Sequence, residues 1–457
     1  MAINIRVEDG LPISVEQAQN ILQSESDRFG LFIDMDRCIE YELYFRQHRD
    51  YLTEELGKFC NNKFTPSQRG EVRDWFMSAF DIPERLMRNK ANKIAFDKFV
   101  IANLMDANIS DDAKNYLKLY QEWNYYAYRV NYLKQYMSLP ISFAVSTEGH
   151  RMVRANPKWV ILSTSRLAAQ NPSLQNIARD MSDLVCCPEG WELYRCDSGQ
   201  IEPRITYSHY VKDQMLRDLI ILYNDAYYGT LHYCTLSEEV YQNRDMYVVE
   251  GDEHESDYDA EHIIHKKEIT DEMKEGRKEL KVIALAATYG SALAGRDPVL
   301  SKRYVERIVN HPDRKRWETE VQAQVARGNE VFYSVFGSKI VPDDTAQYTR
   351  GTKSWDAHIV RCGINNPIQA TASDLMVCSV NEAYKILQNC EKSHIAYYKH
   401  DEGAFYIHDS EKEIIDVLKD VTAYNVTENG QQWIPIHAEL EIGQKRCTGV
   451  PSVLDWR

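Results

Sequence analysis

The stretch "YYKHDEGAFYI", residues 397–407, places His400, Asp401 and Glu402 in the middle of an apolar and aromatic run. Strand-favouring residues flank the acids on both sides, and Gly403 follows them directly, so the pattern predicts two short strands that meet at a tight turn. The turn would display the histidine and the two acids. A solvated hairpin tip is the simpler explanation, and a functional interpretation therefore needs a second feature that requires these carboxylates.

A second acid stands at the end of a predicted strand in "WELYRCDSGQIEPR", residues 191–204. Because side chains alternate between the two faces of a strand, Leu193, Arg195 and Asp197 share one face. Ser198 and Gly199 are typical strand-ending residues. The pattern therefore places Asp197 at the last position of that face.

A third stretch, "GRKELKVIALAATYG" at residues 276–290, has the pattern of a helix. Arg277, Lys281, Leu285 and Tyr289 recur every four residues, which at about 100° per residue turns the stripe by only about 40° per step. The two cations are spaced to hold a polyphosphate. The apolar and phenolic side chains that follow could form the floor under a base or a sugar.

Length and composition indicate a soluble, cytoplasmic protein. The chain has 457 residues, of which 44% are hydrophobic, and it is long enough for two or three domains' worth of core. It contains no run of eighteen apolar residues and no basic-then-apolar leader. The ten cysteines show no C-x-x-C spacing, which favours free thiols in a reducing compartment.

The net charge of −15, from 54 basic and 69 acidic residues, argues at first sight against a nucleic-acid partner. Much of the excess lies in one acidic stretch, residues 250–261, with seven acids and no Lys or Arg. Such a stretch is self-repelling and too polar to pack, so we interpret residues 244–272 as carrying an exposed acidic insertion. A metal or partner site there has no supporting ligand pattern.

The first third of the chain is predicted to be helical. Apolar residues between Asp111 and Leu139 recur at alternating spacings of three and four, as in a long amphipathic helix, and the helix around residues 38–59 is its expected partner. The basic segment at residues 85–98 would be a solvated helix end. Contact with phosphates becomes the better interpretation if the rest of the protein handles nucleic acid.

The three stretches, in their order along the chain, resemble motifs A, B and C of the family A DNA polymerases, the group of bacterial DNA polymerase I. The matching residues are Asp197, Gln200, Ile201, Glu202 and Arg204 in motif A; Arg277, Lys281, Tyr289 and Gly290 in motif B; and His400, Asp401 and Glu402 in motif C. Leu285 departs from the family, in which an aromatic residue is expected at this position of motif B.

Two further segments support the resemblance. "STSRLAAQNPSLQNI", residues 163–177, and "NNPIQATASDLM", residues 365–376, are similar to family segments that contact primer and template. The resemblance implies DNA contacts for Arg166, Gln175, Asn176, Arg361, Asn365, Gln369 and His400. It also places His232 where the family has a histidine that contacts the triphosphate.

The chemistry that the resemblance implies is addition of dNTPs to a primer 3′-end with two Mg²⁺ ions, for which Mn²⁺ can substitute. Asp197 and Asp401 would bind the metals, and Glu402 would act as a weaker or indirect ligand. Arg277 and Lys281 would hold the triphosphate, with Lys281 also serving as general acid for the pyrophosphate. Further nucleotide contacts would come from Gln200, Glu202, His232, Leu285 and Tyr289, of which Glu202 and Tyr289 would exclude a ribose 2′-hydroxyl.

The fold implied is α+β, a right hand with an antiparallel-sheet palm and helical thumb and fingers. We expect an N-terminal segment at residues 1–33, a thumb at 34–139, palm at 140–206 and 367–457, and fingers at 207–366 with the motif B helix at 277–290. The segment before the thumb is too short for an exonuclease domain, so no proofreading is expected. Expected partners are primer–template DNA, dNTPs, and a separate exonuclease or other replication proteins, with no membrane.

Two other functions stay open at this point. A single-subunit RNA polymerase shares the two aspartates and the Arg/Lys helix, although Glu202 and the sequence "HDEG" favour a DNA polymerase. A catalytically inactive DNA-binding relative would keep the scaffold, although intact Asp197 and Asp401 argue against it. A role in replication, in repair or in a mobile element is not distinguished.

Overall fold

The computed structural model describes residues 2–89, 93–139, 141–145, 150–175, 177–246, 248–249, 263–264, 269–288, 293, 296–342, 348 and 350–444. Three sequence predictions fall outside these ranges: the acidic stretch 250–261, the DNA contact at Asn176, and the nucleotide contact at Tyr289 with the adjacent Gly290. Within the described ranges, no helix is both long and apolar enough to cross a membrane.

Helices and strands alternate in blocks along the chain. The helices are α1 (Val15–Arg28), α2 (Met35–Cys60), α3 (Arg69–Ala79), α4 (Lys98–Asp106), α5 (Asp111–Met137), α6 (Ile201–Ile205), α7 (Gln214–Tyr223), α8 (Ala226–Thr235), α9 (Glu238–Gln242), α10 (Asp271–Thr288), α11 (Pro298–Tyr304), α12 (Pro312–Ala326), α13 (Lys353–Leu387) and α14 (Ile415–Leu418). The strands are β1 (Ile3–Arg6), β2 (Leu31–Asp34), β3 (Ile141–Val145), β4 (Arg151–Ala155), β5 (Lys158–Ile161), β6 (Leu167–Gln170), β7 (Trp191–Ser198), β8 (Val248–Val249), β9 (Ile263–Ile264), β10 (Phe332–Tyr333), β11 (Lys339–Ile340), β12 (His394–Lys399), β13 (Glu402–His408), β14 (Tyr424–Glu428), β15 (Gln431–Gln432) and β16 (Ala438–Gln444).

An antiparallel sheet with strand order β12-β13-β7-β16 carries the first two stretches of the sequence analysis. The predicted hairpin is confirmed: Lys399 pairs with Glu402, which leaves His400 and Asp401 as a two-residue turn. His400 has a φ of 57°, the left-handed conformation that tight hairpin turns require. The predicted strand end at Asp197 is also confirmed, since β7 stops at Ser198.

Helix α13 covers the hydrophobic core that lies against this sheet. Met376, Val377 and Val380 of the helix belong to the same buried cluster as Ala404 and Tyr406 of β13. Buried residues lie on most sides of α13, as is typical of a helix in the core of a large protein. The boundary that we predicted between residues 366 and 367 lies inside this continuous helix, at Pro367.

The long helices α2 and α5 pack against each other, as the spacing of apolar residues predicts. The predicted stripe of apolar residues ends on Met137, but the buried face of α5 does not include this residue. Met137 is exposed, whereas Tyr136 is fully buried and its hydroxyl lies 2.8 Å from that of Tyr132. At this end of α5, the buried face therefore runs through Tyr132, Leu133 and Tyr136.

The N-terminal strand β1 is part of a small sheet with order β1-β14-β15. Ile3 to Arg6 pair in parallel with Tyr424 to Thr427. Ile5 is buried together with Tyr424 and Val426. The start of the chain is therefore packed against its last hundred residues.

A separate hydrophobic core lies among α7, α8, α10 and α11. Asp213 caps the N-terminus of α7 and is itself buried. Its carboxylate accepts hydrogen bonds from the Tyr233 hydroxyl at 3.0 Å and from Arg244 Nε at 2.8 Å. Burial would raise the pKa of this carboxyl, but hydrogen bonds with His311, the Leu216 amide and Arg244 lower it to about 2.

We predict that Asp213→Asn lowers the free energy of unfolding by about 2 kcal/mol at neutral pH. The lowered pKa means that the ionised carboxylate stabilises the fold above the unfolded-state pKa of about 4, and that this contribution is lost as the pH falls toward 2. The stability difference between the two proteins should therefore shrink by about half between about pH 6 and pH 3 in urea titrations. Asp416→Asn, at a largely exposed position, is the control, and a difference that does not change with pH would contradict the prediction.

Candidate active site

A central cavity of about 310 Å³ brings the three stretches together. It lies between the strand ends of the β7 sheet and helix α10. The predicted site residues that line it are Asp197, Gln200, Glu202, Arg277, Lys281, Leu285 and Asp401. Side chains from positions more than two hundred residues apart therefore face one space.

Carboxylates crowd one side of the central cavity. In the sheet, Asp197 is flanked directly by Glu402 of β13 and by Glu439 of β16. Burial and the negative charges of Asp401, Glu402 and Glu439 raise the pKa of Asp197 to about 8. Burial is also the main cause of the raised pKa of Asp401. Like charges placed opposite each other in a sheet destabilise it, and a bound cation would relieve this repulsion.

Glu402 differs from the two aspartates because its charge is already compensated. One carboxylate oxygen lies 3.1 Å from Nη1 of Arg195, and the other accepts a hydrogen bond from the Tyr397 hydroxyl at 2.9 Å. Its side chain is therefore held against the sheet. This arrangement agrees with the weaker role that the sequence suggests for Glu402.

The acidic side of the central cavity fits the Mg²⁺ ions that the sequence resemblance implies. Asp197 and Asp401 offer carboxylate oxygens, the ligands that Mg²⁺ prefers. Across the described ranges, no group of three or more His, Cys, Asp or Glu side chains is arranged to hold a metal by itself. That finding is compatible with Mg²⁺, which keeps several waters and is bound through one or two carboxylates together with substrate phosphates.

Cations face the acids from helix α10. Arg277 forms a close ion pair with Asp225, and its guanidinium carbon lies 5.4 Å from the centre of the Tyr227 ring. Nζ of Lys281 lies 5.8 Å from the same ring. Leu285 follows one turn later on the cavity wall. The spacing predicted from the sequence therefore places both cations and Leu285 at the same cavity.

His232 is not among the described residues that line the central cavity. It lies near the end of α8, where its Nδ1 is 3.2 Å from the Tyr223 hydroxyl. Tyr227, five residues earlier on α8, lines the cavity instead. The sequence prediction followed the histidine that the family resemblance implies and did not consider Tyr227. The triphosphate contact at His232 stays a prediction.

A second cavity, of about 300 Å³, gathers several of the predicted DNA contacts. Arg166, Gln175 and His400 line it together with residues of α13. Gln175 accepts a hydrogen bond from the Ala169 amide at 3.0 Å. Burial and the charges of Arg166 and Lys399 lower the pKa of His400. The His400 ring and the Arg166 cation border the same space.

The remaining predicted DNA contacts lie on helix α13. Asn365 is buried, and Arg361 lies one turn before it and donates a hydrogen bond to the Tyr348 hydroxyl at 3.3 Å. Gln369 lies one turn after Asn365. The two cavities are connected by an ion pair between Arg166, which lines the second, and Glu202, which lines the central one.

Comparisons with known proteins agree with this arrangement. The family model described as DNA polymerase family A matches residues 35–447. DNA polymerase I of Caldicellulosiruptor bescii is 24% identical over 295 residues, and the matched region covers 62% of this chain but only 30% of that protein. The POL domain of Pol1 from M. smegmatis, in complex with DNA primer-template and dNTP, has a TM-score of 0.68 and 16% identity, with 94% of this chain and 69% of that chain covered.

The structural likeness confirms the predicted α+β right-hand polymerase fold. The match to the family model includes the strand that ends at Asp197, the helix that carries Arg277 and Lys281, and the hairpin that carries Asp401. These are the three stretches on which the sequence prediction depends. The chain therefore belongs to the family A DNA polymerases.

Proposed function

We propose that this protein is a template-directed DNA polymerase that adds dNTPs to the 3′-end of a primer. The observation that carries the proposal is the central cavity, in which Asp197 and Asp401 face Arg277 and Lys281. Acids suited to metal binding and cations suited to a triphosphate are what nucleotidyl transfer requires on opposite sides of one site. Family membership supports the same reaction.

In this proposal, the reaction is attack of the primer 3′-hydroxyl on the α-phosphorus of the dNTP. Bound Mg²⁺ would stabilise the negative charge on the attacking and leaving oxygens. Asp197 and Asp401 would hold the metal, while Arg277 orients the β- and γ-phosphates. Lys281 would donate a proton to the departing pyrophosphate. Glu202 would restrict the space beside the sugar C2′.

The DNA path in this proposal runs past the second cavity. Arg166, Gln175 and His400 would contact the primer terminus and its template partner, and Arg361, Asn365 and Gln369 would extend the contacts along α13. Nε2 of Gln175 and Oδ1 of Asn365 are buried, and neither has a hydrogen-bond partner among the described residues. Base edges or sugar oxygens would satisfy such atoms, which otherwise cost about 1–3 kcal/mol each.

Primer extension on a defined DNA template tests the proposal. We expect extension with dNTPs and Mg²⁺, with NTPs used poorly and Mn²⁺ accepted in place of Mg²⁺. Preferential use of NTPs would favour a single-subunit RNA polymerase. Tight DNA binding without extension by either substrate would favour an inactive relative.

Leu285 provides a prediction about sugar recognition. An aromatic ring at this position would pack against the incoming sugar, and a tyrosine hydroxyl could replace the hydrogen bond that a missing 3′-hydroxyl would make. We predict that the wild type discriminates against dideoxynucleotides and that Leu285→Tyr reduces this discrimination at least about fivefold, about 1 kcal/mol. Competitive incorporation of ddNTP and dNTP measures the ratio.

Leu285→Phe is the matched control, because it adds the ring without the hydroxyl. We expect it to change the discrimination less than Leu285→Tyr does. Tyr207 and Tyr304 also line the central cavity, with their hydroxyls 3.4 Å apart, and they are the neighbours that could already fill the space. Identical ddNTP use by the three proteins would show that residue 285 does not sense the sugar.

A further inference from the structure

The carboxylate of Asp225 connects the strand end that carries Asp197 with the helix that carries Arg277. Its Oδ1 accepts hydrogen bonds from the backbone amides of Tyr227 and Tyr228, both at 2.8 Å, and so caps helix α8. Its Oδ2 accepts a hydrogen bond from Nε2 of Gln200 at 2.6 Å. The same oxygen accepts hydrogen bonds from both Nε and Nη2 of Arg277, at 2.9 and 2.6 Å. The Asp225 side chain therefore contacts three separate parts of the fold: the start of α8, the turn after β7 and helix α10.

These contacts fix which edge of Arg277 is available to a ligand. The Nε edge of the guanidinium is occupied by Asp225, and the faces of Tyr227 and Tyr228 lie 5.4 and 5.2 Å from the guanidinium carbon. Arginine carries further N–H donors on Nη1 and Nη2. Within the described part of the chain, Nη1 of Arg277 has no hydrogen-bond partner, and Arg277 lines the central cavity.

Gln200 connects the Asp225 carboxylate to the acidic side of the central cavity by a hydrogen bond. Gln200 lies in the turn after β7, has a φ of 56° and directly precedes α6. Its Oε1 accepts the Ala226 amide at 2.5 Å, while its Nε2 donates to Asp225. The position of Arg277 is thereby set relative to Asp197, three residues before Gln200.

We propose that Asp225 is a positioning residue for the dNTP: it holds Arg277 by one edge so that the other edge faces the triphosphate. This inference rests on the proposed function, because it assigns Arg277 to the nucleotide. Ordering a free arginine side chain costs conformational entropy, and Asp225 removes that cost from the binding step. A purely structural role would be limited to capping α8.

Asp225→Asn separates the two roles. Asparagine caps helices about as well as aspartate, so the amide hydrogen bonds to Oδ1 are kept, while the ion pair with Arg277 and the hydrogen bond from Gln200 Nε2 are lost. We expect the KM for dNTP, and the Kd of a fluorescent dNTP for the primer–template complex, to rise about tenfold. The expected kcat is within about twofold of wild type.

Asp297→Asn is the matched control, since Asp297 caps α11 through the Leu300 amide in the same way. It should leave KM and Kd unchanged. In an Arg277→Ala background, Asp225→Asn should have no further effect on either constant. A full tenfold effect in that background would show that Asp225 acts without Arg277 and would overturn the inference.

The outcomes also separate this inference from the proposed function. Wild-type protein that extends primers, together with an Asp225→Asn variant of unchanged KM and Kd, would overturn the role of Asp225 alone. Wild-type protein that neither extends primers nor binds the fluorescent dNTP would overturn both. Asp225→Glu, which keeps the charge but lengthens the side chain, should recover part of the dNTP affinity that Asp225→Asn loses.

Discussion

Asp197→Ala and Asp401→Ala are each expected to lower the rate of primer extension at least a thousandfold, about 4 kcal/mol, while DNA affinity stays within a few-fold of wild type. The two carboxylates share the central cavity, where burial and neighbouring acids raise the pKa of Asp197 to about 8. In the proposed mechanism, removing one acid removes a metal ligand from the chemical step. It also removes a negative charge, so contacts with DNA phosphates are not weakened.

Single-turnover extension and fluorescence anisotropy on the same primer–template measure the two quantities separately. Asp416→Ala, at an exposed position of α14, is the control for loss of an acidic side chain. An affinity for DNA that falls as far as the rate would show that these aspartates support DNA binding or the fold. Retention of more than about a tenth of wild-type activity, less than about 1.4 kcal/mol of lost stabilisation, would show that the metal is held elsewhere.

Glu202→Ala is expected to reduce the preference for dNTPs over rNTPs at least a hundredfold, about 2.7 kcal/mol. Glu202 lies on the wall of the central cavity, and its ion pair with Arg166 holds the side chain in one orientation. A rigid carboxylate beside the sugar would clash with a 2′-hydroxyl. Alanine would open that space, and rNTP use should rise while dNTP use falls only modestly.

Glu202→Gln separates volume from charge in the same assay. If the carboxylate excludes the ribose by its bulk, glutamine should keep most of the discrimination. If the ion pair with Arg166 is needed to hold the side chain in place, glutamine should lose a large part of it. An rNTP-to-dNTP ratio that stays at the wild-type value in Glu202→Ala would place the discrimination at another residue.

The sequence was most informative where short-range periodicity decides the structure. Alternation of side chains predicted the strand end at Asp197 and the hairpin at Asp401, and a four-residue repeat predicted the helix of Arg277 and Lys281. The proximity of the two aspartates, 204 residues apart, came from family resemblance and not from periodicity. No local rule specifies which strands become neighbours.

Residues that depend on strand register or on a helix cap were missed. Glu439 faces the site only because β16 pairs with β7 in one particular register. Asp225 looks like an ordinary helix cap in the sequence, and its contact with Arg277 depends on how α8 packs against α10. Capping residues and strand acids are common, so their sequence signals do not distinguish functional from structural positions.

The parallel pairing of β1 with β14 has a consequence for the order of folding. Ile3 pairs with Tyr424, so 421 residues separate the two partners along the chain. At synthesis rates of about 5–20 residues per second, the partner of β1 follows it by roughly 20–80 s. Helices α2 and α5 can pack long before that time, whereas β1 must wait. We therefore expect β1 to dock onto its sheet only after α2 and α5 have packed against each other.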